Sequence, residues 1–464
     1  MAATGKRHSV YYTEFVSRLE AGLSTQAQRR TVDTLGEDIE NVRQAWRWAV
    51  TQGDEEALQK SFKGLFRFYM LQSWFQEGEA IFGRASAQVG EVVSDEINHI
   101  LLLNGLLARQ GVFCENLARY DQARVLLEKS LVCFRALGAL DEIAFALSKL
   151  GILTRNQGDQ EAARTCFQES LEICQRLGDL GGTANALNNL GSVHYQWGDY
   201  DLAQKQHQAG LVLYREIGDQ QGASRCLMNL GNIAYRLGRY EEAQRFHQDS
   251  LTICRAIHDL WGIAACLNNL GNALNELGES LEAKHLYEES LTIKRELGHR
   301  EGMASSLDNL GIVAARLKQY AEAQRLRQAS LALRREIGYP WGIANSLNGL
   351  GDLACTLGQY PSAWSHYREA LKTALEIRAI LLVEAALVGI AELLVKEGQR
   401  ERALHALALI LDRPAQDKEL QDRADQLFTE LRAGLPSEAV NSIREKARRQ
   451  TLEEVATEWL TGST

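Results

Sequence analysis

The stretch LNNLGSVHYQWGDYDLAQKQHQAGL, residues 187–211, decides the fold. Its Leu190-Gly191 pair returns as Leu150-Gly151, Leu230-Gly231, Leu270-Gly271, Leu310-Gly311 and Leu350-Gly351, forty residues apart each time without insertion. Seven residues after that glycine stands another, at Gly158, Gly198, Gly238, Gly278 and Gly358, with Lys318 taking its place once. An alanine column follows at Ala123, Ala163, Ala203, Ala243, Ala283, Ala323, Ala363 and Ala403. A leucine column runs through Leu131, Leu171, Leu211, Leu251, Leu291, Leu331 and Leu371. Extending the frame catches Gly111 with Ala118 and Ala391 with Gly398, so that eight units occupy 100–411. A fixed period of this length marks an array whose units bury their apolar faces on their neighbours.

Each unit reads as two helices. In the fourth, 223–237 carries apolar residues at Leu227, Leu230, Ile233, Ala234 and Leu237, a helical spacing rather than an alternation. Gly238 ends that helix, and a second runs from about 241 to 257 with Ala243, Phe246, Leu251 and Ile253 on one side. Gly231 and Ala243 are small where the two helices are expected to cross closely. The four strands of a propeller blade would need turn signals every 8–12 residues, and none occur. The frame Leu-Gly, Gly-x-Tyr, Ala resembles the tetratricopeptide repeat in the 40-residue form of kinesin light chains and cell-polarity scaffolds. That resemblance implies an all-α fold, a right-handed α-solenoid of helix hairpins with helical caps at both ends. It implies binding and leaves the partner open.

The flanks lie outside the frame. Residues 1–59 are expected to form an N-terminal helical cap, 60–99 a degenerate repeat around Trp74, Phe75 and Gly78, and 412–464 C-terminal capping helices. Caps are needed because end units would otherwise expose apolar faces. Glu37, Asn41, Val42, Arg43, Ala45, Trp48 and Ala49 resemble, with Glu37 one place off, the E-x-x-N-(L/V)-R-x-A-x-x-W segment of bacterial signal-transduction ATPases with numerous domains (STAND proteins). His8-Ser9-Val10-Tyr11-Tyr12 and Phe15 resemble the helix that opens the same region, and 449–456 its last helix. Thr464 is accordingly expected to be a natural C-terminus and 1–5 an added start. The resemblance implies an upstream NTPase module and an effector, with the repeats recognising an inducer and restraining the ATPase. This sequence itself carries no G-x-x-x-x-G-K-(S/T) loop for nucleotide phosphates.

Composition narrows the partners. Fifty-one basic against 60 acidic residues leave a net charge of −9, which argues against nucleic acid or an anionic membrane as direct partner. No run of 18 apolar residues occurs, and the N-terminus lacks an apolar signal core, so a cytoplasmic location is expected. Arginine outnumbers lysine 38 to 13, as in GC-rich bacterial genomes. The eight cysteines form no C-x-x-C pair and read as small buried hydrophobes. His207 and His247, one period apart, read as packing residues. No nucleophile–base pairing and no metal motif points to catalysis or a cofactor.

Candidate ligand residues flank Leu-Gly on the first helix of each unit, the side expected to face a concave groove. Asn189, Asn229, Asn269 and Asn309 precede the leucine, with Asn188, Asn268, Asp308 and Asn348 one place earlier. Asn232, Asn272 and Asp352 follow the glycine, then Tyr195, Tyr235 and Asn275, then Arg236 and Arg316, while Arg225 lies one turn upstream. An amide offers both donor and acceptor, which suits the main chain of an extended peptide. The same asparagines could instead satisfy the neighbouring helix. The function expected is ligand binding without catalysis, the inducer-sensing domain of a STAND-type ATPase, for a peptide, protein or small inducer. A free-standing scaffold bridging proteins and a peptide pheromone receptor are the alternatives.

Overall fold

A computed structural model describes residues 2–24, 27–413 and 418–461. Residues 414–417 of the expected C-terminal region, Met1 and Thr464 lie outside these. Among the described residues all regular structure is helical. The chain divides into two compact units, 1–262 and 263–464, described in turn.

The first unit opens with α1 (Ala2–Leu19), a 3-10 turn at Glu20–Ser24, α2 (Gln28–Glu37), α3 (Ile39–Gln52), α4 (Glu55–Leu71) and α5 (Phe75–Gly90). Hairpins follow: α6 (Ile97–Asn116) with α7 (Tyr120–Leu137), α8 (Leu140–Asn156) with α9 (Gln160–Leu177), α10 (Leu180–Gln196) with α11 (Tyr200–Ile217), and α12 (Gln220–Arg236) with α13 (Tyr240–Ile257). Within this unit the second helix of one hairpin also packs on the first helix of the next, as α9 does on α10 and α11 on α12. The fourth hairpin thus begins three residues earlier than the sequence pattern suggests, because Asp219 caps α12 by accepting from Gly222 N at 2.8 Å. Asp159, Asp179 and Asp199 cap α9, α10 and α11 in the same way. Between hairpins the chain reverses through left-handed residues, Gly178 at φ 67° and Gly218 at φ 74°.

The second unit continues with α14 (Leu260–Glu276), α15 (Ser280–Glu296), α16 (Arg300–Arg316), α17 (Tyr320–Glu336), α18 (Pro340–Thr356), α19 (Tyr360–Glu376), α20 (Ile380–Lys396) and α21 (Arg400–Leu411). Three helices outside the frame close it, α22 (Lys418–Arg432), α23 (Ser437–Arg448) and α24 (Leu452–Thr461). They bury Phe428, Leu431, Val455 and Trp459 against α19–α21. Trp459 stacks on Trp364 with ring centroids 5.8 Å apart.

Why leucine is followed by glycine is visible in each hairpin that carries the pair, within either unit. A side chain from the second helix lies directly over the glycine of the first. A Cβ on Gly191 would stand 2.7 Å from the His207 ring, one on Gly271 2.7 Å from Tyr287, and one on Gly311 2.7 Å from Arg327 Cγ. Phe167 covers Gly151 and Tyr367 covers Gly351 likewise. The alanine column, fully buried throughout, keeps the helices at that spacing. A serine column adds a cross-hairpin bond: Ser170, Ser250, Ser290 and Ser330 each donate to a carbonyl of the first helix at 2.8–3.0 Å.

Candidate functional site

In the first unit the first helices of successive hairpins expose a row of polar residues, and α4 lies along one edge of it. Together they enclose a cleft of about 560 Å³. Lys63 and Arg67 of α4 line it with Arg109, Phe145, Lys149, Asn185 and Arg225 of α6, α8, α10 and α12. A buried ion pair joins Arg109 to Glu142, and the Arg109 guanidinium lies 4.0 Å from the Phe145 ring centroid. Burial opposes the Glu142 charge, but Arg109 and Lys63 outweigh it and hold its pKa below the ordinary value. Lys63 Nζ lies 3.0 Å from both Asp141 and Glu142, so α4 is fastened to α8 across the cleft edge.

Lys149 has no hydrogen bond or ion pair among the described residues. Burial lowers its pKa, Glu115 partly offsets this, and the charges of Arg225 and Arg109 lower it further. The cleft wall therefore presents the half-buried Lys149, its Nζ 5.6 Å from the Phe145 ring centroid, beside the exposed Arg225.

The sequence-derived candidates of this unit divide by burial. Asn188 is 8% exposed, and its Oδ1 accepts from His207 Nδ1 at 3.0 Å, Asn229 Nδ2 at 3.1 Å and Cys226 Sγ at 3.4 Å. It joins α10 to α11 and α12. Burial pushes the His207 pKa down to about 4, so the ring is neutral and can be protonated on Nδ1. Asn189, also buried, donates to Asn185, which accepts from Ser148 of α8 as well. Asn232, Tyr195 and Tyr235 are half-buried, and Arg236 is exposed. The two tyrosine rings rest on Tyr200 and Tyr240 at 5.6 and 5.4 Å.

In the second unit Asn309 Nδ2 reaches Asn268 at 3.3 Å and Asn272 at 3.1 Å, and Tyr287 donates to Asn272 at 2.7 Å. Lys294, buried in α15, donates to Ser306 at 2.9 Å and Asn268 at 3.3 Å; burial pushes its pKa down to about 8. Arg316 pairs with Glu276 at 2.7 Å and donates to the Asn275 carbonyl. Asp308 turns inward to Arg334 at 3.6 Å, and Asn348 donates to the Leu382 carbonyl at 3.1 Å. Asp352 accepts from Tyr367 at 2.8 Å and lies 3.4 Å from Arg423 of the capping helix α22. Asn269 is half-buried. The asparagine columns thus bridge adjacent first helices, and Asp308, Asn348 and Asp352 are engaged within the fold.

Sequence reasoning passed over Asn185 and Phe145, although both share the 40-residue register of Arg225. That column was legible. Lys63 and Arg67 were not, because α4 lies outside the frame and only folding brings it to the cleft. Among the described residues, no cluster of three His, Cys, Asp or Glu side chains is placed to hold a metal ion, and no helix is long and apolar enough to cross a membrane.

Residues 101–176, 142–216, 222–296 and 302–376 match the tetratricopeptide repeat family, together more than half of the chain. The chain belongs to that family and is a protein-interaction domain of it. No curated protein matches the sequence. Among solved structures it is similar to the apo form of RapI, at 14% identity and TM-score 0.56 over 79% of this chain and 95% of that one. It is similar to the apo quorum sensor NprR from B. thuringiensis, at 14% identity and TM-score 0.54 over 82% and 99%. A STAND protein with a tetratricopeptide repeat sensor from Pyrococcus horikoshii gives 13% identity and TM-score 0.50, over 80% of this chain and 55% of that one. Likenesses at these identities show the fold.

Proposed function

We propose that the chain is the inducer-sensing repeat domain of a cytoplasmic bacterial STAND-type ATPase, non-catalytic itself, with the inducer seated in the cleft of the first unit. The observation that carries this reading is the position of α3 and α4. Arg43, in the segment that resembles the STAND signature, bonds to Tyr69 of α4 at 3.3 Å, pairs with Glu77 of α5 and lies 5.1 Å from the Trp74 ring centroid. The segment that resembles the STAND signature is thereby tied to α4, and α4 forms a wall of the cleft. A ligand between Lys149, Arg225 and α4 would act on the Lys63 bridges to Asp141 and Glu142. To switch such a domain almost completely, it must favour one arrangement by about 5.5 kcal/mol. The fold shared with a STAND sensor and a quorum sensor supports the reading.

The test uses the purified chain and a Lys149→Glu/Arg225→Glu variant, each melted with size fractions of extract from the native organism. A fraction that raises the melting temperature of the wild type and leaves the folded variant unmoved is the expected result. It would also show whether the inducer is a small molecule, a peptide or a protein. An equal rise in both proteins refutes the assignment of the cleft. In the native gene an NTPase coding region should run in frame into this chain; a stop codon followed by a ribosome site would favour a free-standing scaffold.

A further inference from the structure

In the second unit, the pattern of the neighbouring hairpins breaks at three places, two in the α16–α17 hairpin and one on the adjoining α18. The side chain over the Leu-Gly glycine is Tyr287 in α15 and Tyr367 in α19, and each hydroxyl ends on an acceptor of the first helix, Asn272 at 2.7 Å and Asp352 at 2.8 Å. Between them, in α17, the same position holds Arg327. The position that should supply its acceptor is Ile312, which has none. The third exception is Gly349, which stands in the column of Asn309.

These exceptions belong together. Arg327 runs from Gly311 of α16, where its Cγ would meet a Cβ at 2.7 Å, towards α18, where its Nη1 occupies the space a Cβ on Gly349 would need. A side chain at 349 would push the flexible guanidinium end out of that position. Arg327 Nε is buried without a partner, and among the described residues the side chain makes no hydrogen bond or ion pair. Buried donors are normally satisfied, and an arginine carries its charge at any physiological pH. The fold therefore opens a passage for a cation and withholds the acceptor that both neighbouring hairpins provide.

We propose that Arg327 is an anion-binding residue on the first-helix face of the second unit, and that its ligand is a carboxylate of an acidic peptide segment. A carboxylate matches the planar fork of a guanidinium. Asp308 and Asp352, although paired with Arg334 and Arg423, keep acidic charge on α16 and α18, which repels a doubly charged phosphate more than a singly charged carboxylate. This contact rests on the reading of the first-helix face as a ligand face.

The probe is an N-terminally fluorescein-labelled, C-terminally amidated hexaglutamate peptide, followed by fluorescence anisotropy at low salt. Hexaglutamine and a phosphoserine peptide of equal charge are compared. Hexaglutamate should bind, hexaglutamine should not, and Arg327→Gln should weaken binding at least tenfold. Arg325→Gln, an exposed arginine paired with Glu322, should leave it unchanged. Ile312→Asp supplies the missing acceptor inside the chain: it should raise the melting temperature and also weaken hexaglutamate binding at least tenfold. That rise reports the vacant guanidinium without any ligand, so it stands apart from the inducer test on the first unit. Unchanged binding in Arg327→Gln, tighter binding of the phosphopeptide, or a lowered melting temperature for Ile312→Asp would each overturn the proposal.

Discussion

Replacing Gly271 with alanine tests the contact that spaces the hairpins. The new methyl carbon would lie 2.7 Å from Tyr287 Cε1 and 3.0 Å from Cδ1 and Cζ, whereas carbon atoms rest at about 3.5–4.0 Å. Tyr287 is 2% exposed and its hydroxyl is bonded to Asn272, so the ring cannot swing aside without losing that bond. Overpacking of this kind costs about 1–3 kcal/mol. Alanine recovers up to about 1 kcal/mol of helix propensity over glycine, so the net loss should be about 0–2 kcal/mol. The interaction itself emerges from a double-mutant cycle with Tyr287→Leu, which removes the ring. In that background Gly271→Ala should become stabilising by about 0.5–1 kcal/mol, leaving a coupling of about 1–3 kcal/mol. Gly111→Ala in the first unit is an internal control. There the facing atoms are Leu127 Cγ at 3.1 Å and Ala123 O and Leu126 Cβ at 3.3 Å, so no contact falls below 3.0 Å and a shift of a few tenths of an ångström relieves them. It should be near neutral. Urea denaturation of the proteins, followed by circular dichroism, supplies the free energies. A coupling below about 0.5 kcal/mol, the usual scatter of additive sites, would refute the packing argument.

Lys294 predicts a pH dependence. Its folded pKa of about 8 lies below the ordinary 10.5, so between these values the unfolded chain holds a proton that the folded chain has released. Stability should therefore rise by about 3 kcal/mol from pH 8 to 10.5 through this group, and the full penalty should be present below pH 8. Urea midpoints for Lys294→Met should lose that rise; parallel profiles would exclude it. Lys318 sits at φ 59°, where the neighbouring hairpins have glycine, so Lys318→Gly should stabilise by about 1 kcal/mol, visible as a higher urea midpoint. Glu142→Gln leaves the buried Arg109 without its carboxylate and should cost about 3–5 kcal/mol, with faster amide exchange in α4, whereas exchange confined to α8 would argue against the α4 bridge.

The periodic part of the chain was legible because forty-residue spacing repeats every local requirement: the glycine beneath a bulky side chain, the fully buried alanine, the left-handed turn. The bulky side chain itself was not legible as a column. Phe167, His207, His247, Tyr287, Arg327 and Tyr367 share bulk and register but not one chemistry; histidine and tyrosine recur only twice each, so no single residue type marks the column. The asparagine columns were found by register, yet their partners were not. Whether Asn188 faces a ligand or receives His207, Cys226 and Asn229 depends on the distance between helices that only stacking sets.

Sequence alone thus determined the helical hairpin, its period and the polar face of its first helices, since these follow from contacts within one unit and its nearest copy. Tertiary structure decided what that face can do. It placed α4 beside Lys149 and Arg225, turned Asp308 and Asn348 inward, set Arg423 against Asp352 and left Arg327 without an acceptor. Those outcomes depend on side chains from helices far apart in the chain or outside its period, and no repeat spacing encodes where such helices come to rest.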